Sequence, residues 1–175
     1  MLYFAYGSNM LTERLRARVQ SAQPVARARL PDRELRYHKG GQDGSGKCNI
    51  VDATTASTHV WGVLFDIASE DLPALDEAEG RGHGYERCRV HPCGPDSVVE
   101  AFAYVAQPSY VDESLTPFAW YCAVVRAGAR QHRLPSEYRS SLGPSSTRPD
   151  PNEDRRAKYR SLLAQAGFAD VWAQT

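Results

Sequence analysis

Short apolar runs separated by glycine, proline and polar turns dominate the chain, and their spacing predicts more strands than helices. Tyr3 to Tyr6 is an apolar-aromatic run ending at Gly7-Ser8-Asn9, a strand followed by a turn. Leu11, Leu15 and Val19 then share one face of a helix over residues 11–18. Val25 to His38 reads as two strands broken at Pro31-Asp32, and Gly40 to Gly46 as a glycine-rich, solvated loop. Residues 48–53 and 59–67 read as further strands, the second rich in Val, Trp, Leu and Phe.

Ser69 is a candidate N-cap for a helix that runs to Glu79 and stops at Gly80. Residues 85–90 and 98–105 form another strand pair. Thr116 and Pro117 have the chemistry of a helix start, with the helix reaching about Gly128. A polar, proline-bearing loop follows, and a last helix over residues 154–166 closes the chain. With no internal repeat and no linker between two cores, the pattern is one α+β domain, residues 1–142. Residues 143–175 add a polar loop and a C-terminal helix packed on it.

Composition narrows the function classes. Of 175 residues, 42% are hydrophobic and 24% charged, and 21 Lys+Arg balance 21 Asp+Glu, which leaves no basic excess to suggest a nucleic acid or an anionic membrane as partner. The N-terminal apolar run is too short for a signal peptide and lacks a basic leader. Cys48, Cys88, Cys93 and Cys122 do not suggest a disulfide framework in a chain of this size, so a reducing cytoplasm is the expected compartment.

Four stretches could carry chemistry. Gly41 to Lys47 has phosphate-loop spacing, but Cys48 stands where Ser or Thr must bind magnesium, and a strand follows where a helix is required. Cys88, His91 and Cys93 lie close in sequence, yet no second pair has zinc spacing, so no metal site is expected. In Tyr6-Gly7-Ser8-Asn9-Met10 a strand gives way to a helix, and the free N–H groups there suit a carboxylate or an oxyanion; equally, Ser8 or Asn9 simply caps the helix. Ser8 lacks the surroundings of a nucleophile. In the helix ending at Gly80, Leu72, Leu75 and Glu79 fall on one side at ~100° per residue, whereas Glu70 and Glu77 point away. A carboxylate on the core-facing stripe is either a structural glutamate satisfied by an arginine or tyrosine, or a general base tuned by burial.

Taken together, these segments resemble the γ-glutamylcyclotransferase family. The resemblance rests on Tyr3-Phe4-Ala5-Tyr6-Gly7-Ser8-Asn9, Val60-Trp61-Gly62-Val63-Leu64-Phe65 and Leu75-Asp76-Glu77-Ala78-Glu79-Gly80. Gly84-Tyr85, Tyr121-x-x-x-Val125-x-x-Gly128-Ala129 and Leu134-Pro135-x-Glu137-Tyr138 continue the order. It implies a small mixed β-barrel flanked by helices, with a pocket at its mouth. Tyr3, Phe4, Ala5, Tyr6, Gly7, Ser8 and Asn9 would hold a γ-glutamyl group, largely through backbone amides, and Tyr121 would line the pocket. Glu79 matches the catalytic glutamate. The implied reaction closes a γ-glutamyl group into 5-oxoproline and releases an amino acid or amine, without metal or organic cofactor, in a monomer or homodimer. A cyclotransferase for γ-glutamylamines or for a γ-glutamyl-protected intermediate, and a non-catalytic binder, are the alternatives.

Overall fold

The apolar N-terminal run becomes the centre of a sheet. The computed structural model describes residues 1–55 and 57–172. Its strands are β1 (Leu2–Ala5), β2 (Gln23–Pro31), β3 (Arg33–Gly40), β4 (Gly46–Asp52), β5 (His59–Asp66), β6 (Tyr85–Val90) and β7 (Ala101–Ala106). Five of them form one sheet in the order β2-β5-β1-β7-β6, and β3 and β4 form a separate hairpin. β1 runs antiparallel to β5 and parallel to β7. Covered on both faces, its Phe4 and Ala5 are fully buried, as an unbroken apolar run requires. The sheet is open and does not close into the expected barrel; the hairpin packs beside it instead.

The helices are α1 (Thr12–Arg16), α2 (Leu72–Glu79), α3 (Ala119–Gln131), α4 (Ser136–Ser141), α5 (Glu153–Gln165) and α6 (Ala169–Trp172). Residues from Trp120 to Ala129 in α3 are nearly all buried, the mark of a helix inside the protein and not on its surface. Gly128 lets it approach the chain closely: a Cβ there would lie 2.5 Å from the Leu11 nitrogen. Helix α5 packs on α3 through Tyr159, whose ring stacks on Trp120 with centroids 3.8 Å apart.

Several expected boundaries move, each for a local reason. Ser69 is not an N-cap: Ser69–Asp71 is a 3-10 turn, Ala68 and Asp71 take the cap positions, and no side chain caps either start. Thr116 and Pro117 stay outside α3, because the chain there bonds to Arg148, and Phe118 is the N-cap. β7 begins at Ala101, three residues later than the apolar pattern suggests, with Val98 left 61% exposed. The loop at Gly40 to Gly46 is not simply solvated. It is the turn of the β3–β4 hairpin, Ser45 is fully buried, and Asp43 accepts from Ser45 Oγ (2.8 Å) and Lys47 Nζ (2.8 Å).

Candidate active site

A pocket opens where β1 ends. Gly7 is extended (φ −121°, ψ −142°), and Ser8–Met10 forms one 3-10 turn before α1. The amides of Met10 and Leu11 donate to the carbonyls of Gly7 (3.0 Å) and Ser8 (3.3 Å). Those of Gly7, Ser8 and Asn9 donate to no acceptor among the described residues. The helix beyond is only five residues long, so these free amides, more than a helix dipole, make the turn attractive to an anion. A Cβ at Gly7 would meet Cys48 Cβ at 3.0 Å and the Tyr121 hydroxyl at 3.4 Å, so only glycine leaves this wall open.

Tyrosines line the remaining walls. Tyr121 accepts from the Cys48 amide (3.0 Å), Tyr85 donates to the Cys48 carbonyl (2.6 Å), and Tyr6 donates to the Tyr104 carbonyl. Burial pushes the Tyr3, Tyr85 and Tyr121 hydroxyls well above their ordinary range, and the charge of Glu79 adds to this at Tyr3, so all stay protonated donors at neutral pH. Burial also pushes the Cys48 thiol up to about 12. It is therefore a neutral wall residue and no nucleophile.

Glu79 stands at the mouth, on the last turn of α2. Gly80, in the left-handed region (φ 65°, ψ 46°), ends the helix there. Leu75 is fully buried and Glu77 exposed, the phase read from the sequence. The Glu79 Oε1 atom accepts from Asn9 Nδ2 (2.9 Å) and Arg18 Nη1 (2.6 Å). Asn9 Nδ2 also lies 3.1 Å from the Tyr3 hydroxyl, and its Oδ1 accepts from Arg18 (3.1 Å). One oxygen of the carboxylate is thus held by the turn and by α1's flank. The other, Oε2, has no hydrogen-bond partner among the described residues. Glu79 is only partly buried, so this second oxygen is open to the pocket and its solvent.

The inner pocket is narrow, about 30 Å³, and opens into a cleft of about 590 Å³. Ser8, Glu79, Tyr85 and Tyr121 line both. Arg14, Arg18, Lys39, Lys47 and Arg155 give the outer cleft a cationic wall, and Trp120 and Tyr159 give it an aromatic one.

Three comparisons bear on this arrangement. A family model described as the AIG2-like family matches residues 59–142. The human protein named gamma-glutamylcyclotransferase is 33% identical over 145 residues, covering 81% of this chain and 76% of the relative. The chain belongs to the γ-glutamylcyclotransferase family. The bovine protein of the same name is likewise 33% identical, with the same coverage. A solved structure titled gamma-glutamyl cyclotransferase superposes with a TM-score of 0.77 at 28% identity, covering 91% of this chain and 98% of that one.

Of the residues that the family resemblance pointed to, the structure gathers Tyr3, Tyr6, Gly7, Ser8, Asn9, Glu79 and Tyr121 around the pocket. Phe4 and Ala5 lie outside it. Strand alternation turns Phe4 to the opposite face from Tyr3, against Gly62, and Ala5 is spent on the ladder to Val63. Sequence reasoning missed Cys48, Tyr85 and Tyr104 as pocket walls and Arg18 as the partner of Glu79. Gly84-Tyr85 was a usable signal for one of them; nothing local marks the others.

Proposed function

We propose that this chain is a γ-glutamylcyclotransferase in which Glu79 moves the protons. The observation that carries the reading is the half-held carboxylate. Oε1 is anchored by Asn9 and Arg18, and Oε2 is left for a ligand at a pocket walled by neutral hydroxyls and free amides. Family membership supports the same reaction.

The substrate's α-amino nitrogen attacks its own γ-carbonyl carbon, the amide bond to the leaving nitrogen breaks, and 5-oxoproline forms. At neutral pH that nitrogen is an ammonium and has no lone pair to attack with. Glu79 Oε2 takes its proton and delivers it to the leaving nitrogen; two protons in all pass this way, and the amine departs as an ammonium. Positioned acid–base help of this kind contributes ~10²–10⁴-fold. The amides of Gly7, Ser8 and Asn9 take the substrate carboxylate and the developing oxyanion, with Tyr121 beside them. Asn9 is a positioning residue, because its side chain spans Tyr3, Arg18 and Glu79. Because attack is intramolecular, folding the substrate into a ring-closing shape supplies much of the rest. No step calls for a metal or organic cofactor, and we place the activity in the cytoplasm. Incubating the pure protein with γ-glutamyl-alanine and following 5-oxoproline tests the proposal; substrate binding without product would leave a binder.

A further inference from the structure

The outer cleft contains an ammonium that no acceptor among the described residues contacts directly. Three of its five cations are spoken for: Arg18 on Glu79, Lys47 on Asp43 (2.8 Å) and Arg155 on Asp150. Arg14 donates to the Tyr159 hydroxyl (2.7 Å). Lys39 is different. The residue is only 8% exposed, lines the cleft, and its ammonium has no hydrogen-bond or salt-bridge acceptor among the described residues. Its one kind of support is aromatic: Nζ lies 4.6 Å from the Tyr85 ring centroid and 6.0 Å from that of Tyr110.

Two features of the backbone put it there. A β-bulge between Arg36 and Lys39 interrupts alternation in β3, so that His38 and Lys39, although adjacent, are both buried. Across the gap, Gly84 (φ 149°) has no Cβ; one built there would lie 2.8 Å from Nζ. The strand is bent, and a neighbour kept bare, around a lysine whose ammonium faces the cleft and which Glu79 and Asp43 influence only through space. An anionic group entering the cleft would supply the direct, charge-assisted contact that the described residues do not. Its ring support, Tyr85, lines the inner pocket as well, and so does Glu79, so Lys39 lies on the side where the leaving part of a substrate must emerge.

We propose that Lys39 is a specificity-determining residue of the outer cleft, taking an anionic group on the leaving part of the substrate. This rests on the cyclotransferase reading and narrows it. A leaving amino acid carries its carboxylate one carbon from the departing nitrogen and so brings an anion into this cleft, whereas a simple amine offers Lys39 no direct partner.

The test uses two substrates that differ only in that group, γ-glutamyl-alanine and γ-glutamyl-ethylamine, with kcat and KM measured by 5-oxoproline release. The wild type should favour the alanine compound in kcat/KM by about 10- to 100-fold, the range of a charge-assisted hydrogen bond. Lys39→Gln should bring the ratio to within about threefold, chiefly by raising KM for the alanine compound, and Lys39→Arg should restore part of it. Circular dichroism identifies a variant that has not folded, and the wild-type ratio then still decides. Equal use of both substrates by the wild type, or a Lys39→Gln ratio like the wild type's, overturns the inference and leaves the cyclotransferase reading standing. No 5-oxoproline from either substrate overturns that reading and the inference with it.

Discussion

Replacing Glu79 by Gln isolates one oxygen of one side chain. Gln keeps a carbonyl oxygen where Oε1 accepts from Asn9 and Arg18, so both hydrogen bonds survive. What changes is the charge beside Arg18 and the atom that replaces Oε2. Arg18 also donates to Asn9 Oδ1, and its side chain is 25% exposed, so it is not stranded. Trading a charge-assisted bond for a neutral one costs about 1 kcal/mol. In a domain of this size that lowers Tm by about 2–4 °C. The chemical cost is far larger. An amide cannot accept the ammonium proton, and turnover should fall at least ~10²-fold, or roughly 2.7 kcal/mol of barrier. Glu77→Gln is the control. It lies two residues back, roughly 200° around the helix, exposed at the cleft's rim, and should stay within about twofold. Steady-state 5-oxoproline formation with thermal melts on all three proteins makes the comparison. A Glu79→Gln variant that retains activity within tenfold of wild type, or a Glu77→Gln variant as inactive as it, would refute the argument from the free oxygen.

Three further outcomes are expected. Ser8→Ala should keep turnover within about tenfold, because Ser8 contributes its amide and its hydroxyl makes no hydrogen bond among the described residues; Gly7→Ala should raise KM more, since its new Cβ meets Cys48 at 3.0 Å, and the two KM values check this. Activity should survive a chelator, because the described residues contain no group of three His, Cys, Asp or Glu placed to hold a metal; a loss restored by zinc or magnesium would contradict it. The Arg155 guanidinium, with the Asn152 amide and Trp120 Nε1 (2.7 Å), holds the buried Asp150 carboxyl at about 2. A depressed carboxylate stabilises the fold above its unfolded value near 4, and that stability is lost as pH falls from about 4 to about 2. Acid titration by circular dichroism should therefore show Asp150→Asn less stable at pH 7 and less sensitive across that window.

Local patterns carried the seven strands, helices α1, α2, α3 and α5 and the phase of α2, because burial of Leu75 and exposure of Glu77 follow from helical period alone. Helix α4 went unread, and α6 follows the helix expected to close the chain. What stayed hidden is what long-range contacts decide. The ion pair of Glu79 with Arg18 spans 61 residues, and no spacing rule joins α1's flank to the end of α2. Nothing in the local pattern marks Lys39 as a cleft residue until the bulge in β3 is seen. Thr116 and Pro117 failed as a helix start because a distant segment, at Arg148, competes for the same backbone. Barrel closure came from the resemblance, and strand alternation contains no information on it; the hairpin's separate packing keeps the sheet open.

The stack of Tyr159 on Trp120 makes the tail of the chain one wall of the outer cleft. The matched family model ends at residue 142, whereas α5 brings Tyr159 and Arg155 to the cleft from beyond that point. Under the proposed mechanism, proton transfer rests on Glu79 with Asn9 and Arg18, whereas the outer cleft is walled both by Lys39 of β3 and by Arg155 and Tyr159 of α5. A protein trimmed after residue 142 would keep Tyr3, Asn9 and Glu79 but lose one side of the cleft. Exchanging only this terminal segment between relatives should therefore reshape one wall of the outer cleft while Tyr3, Asn9, Lys39 and Glu79 keep their places in the sequence.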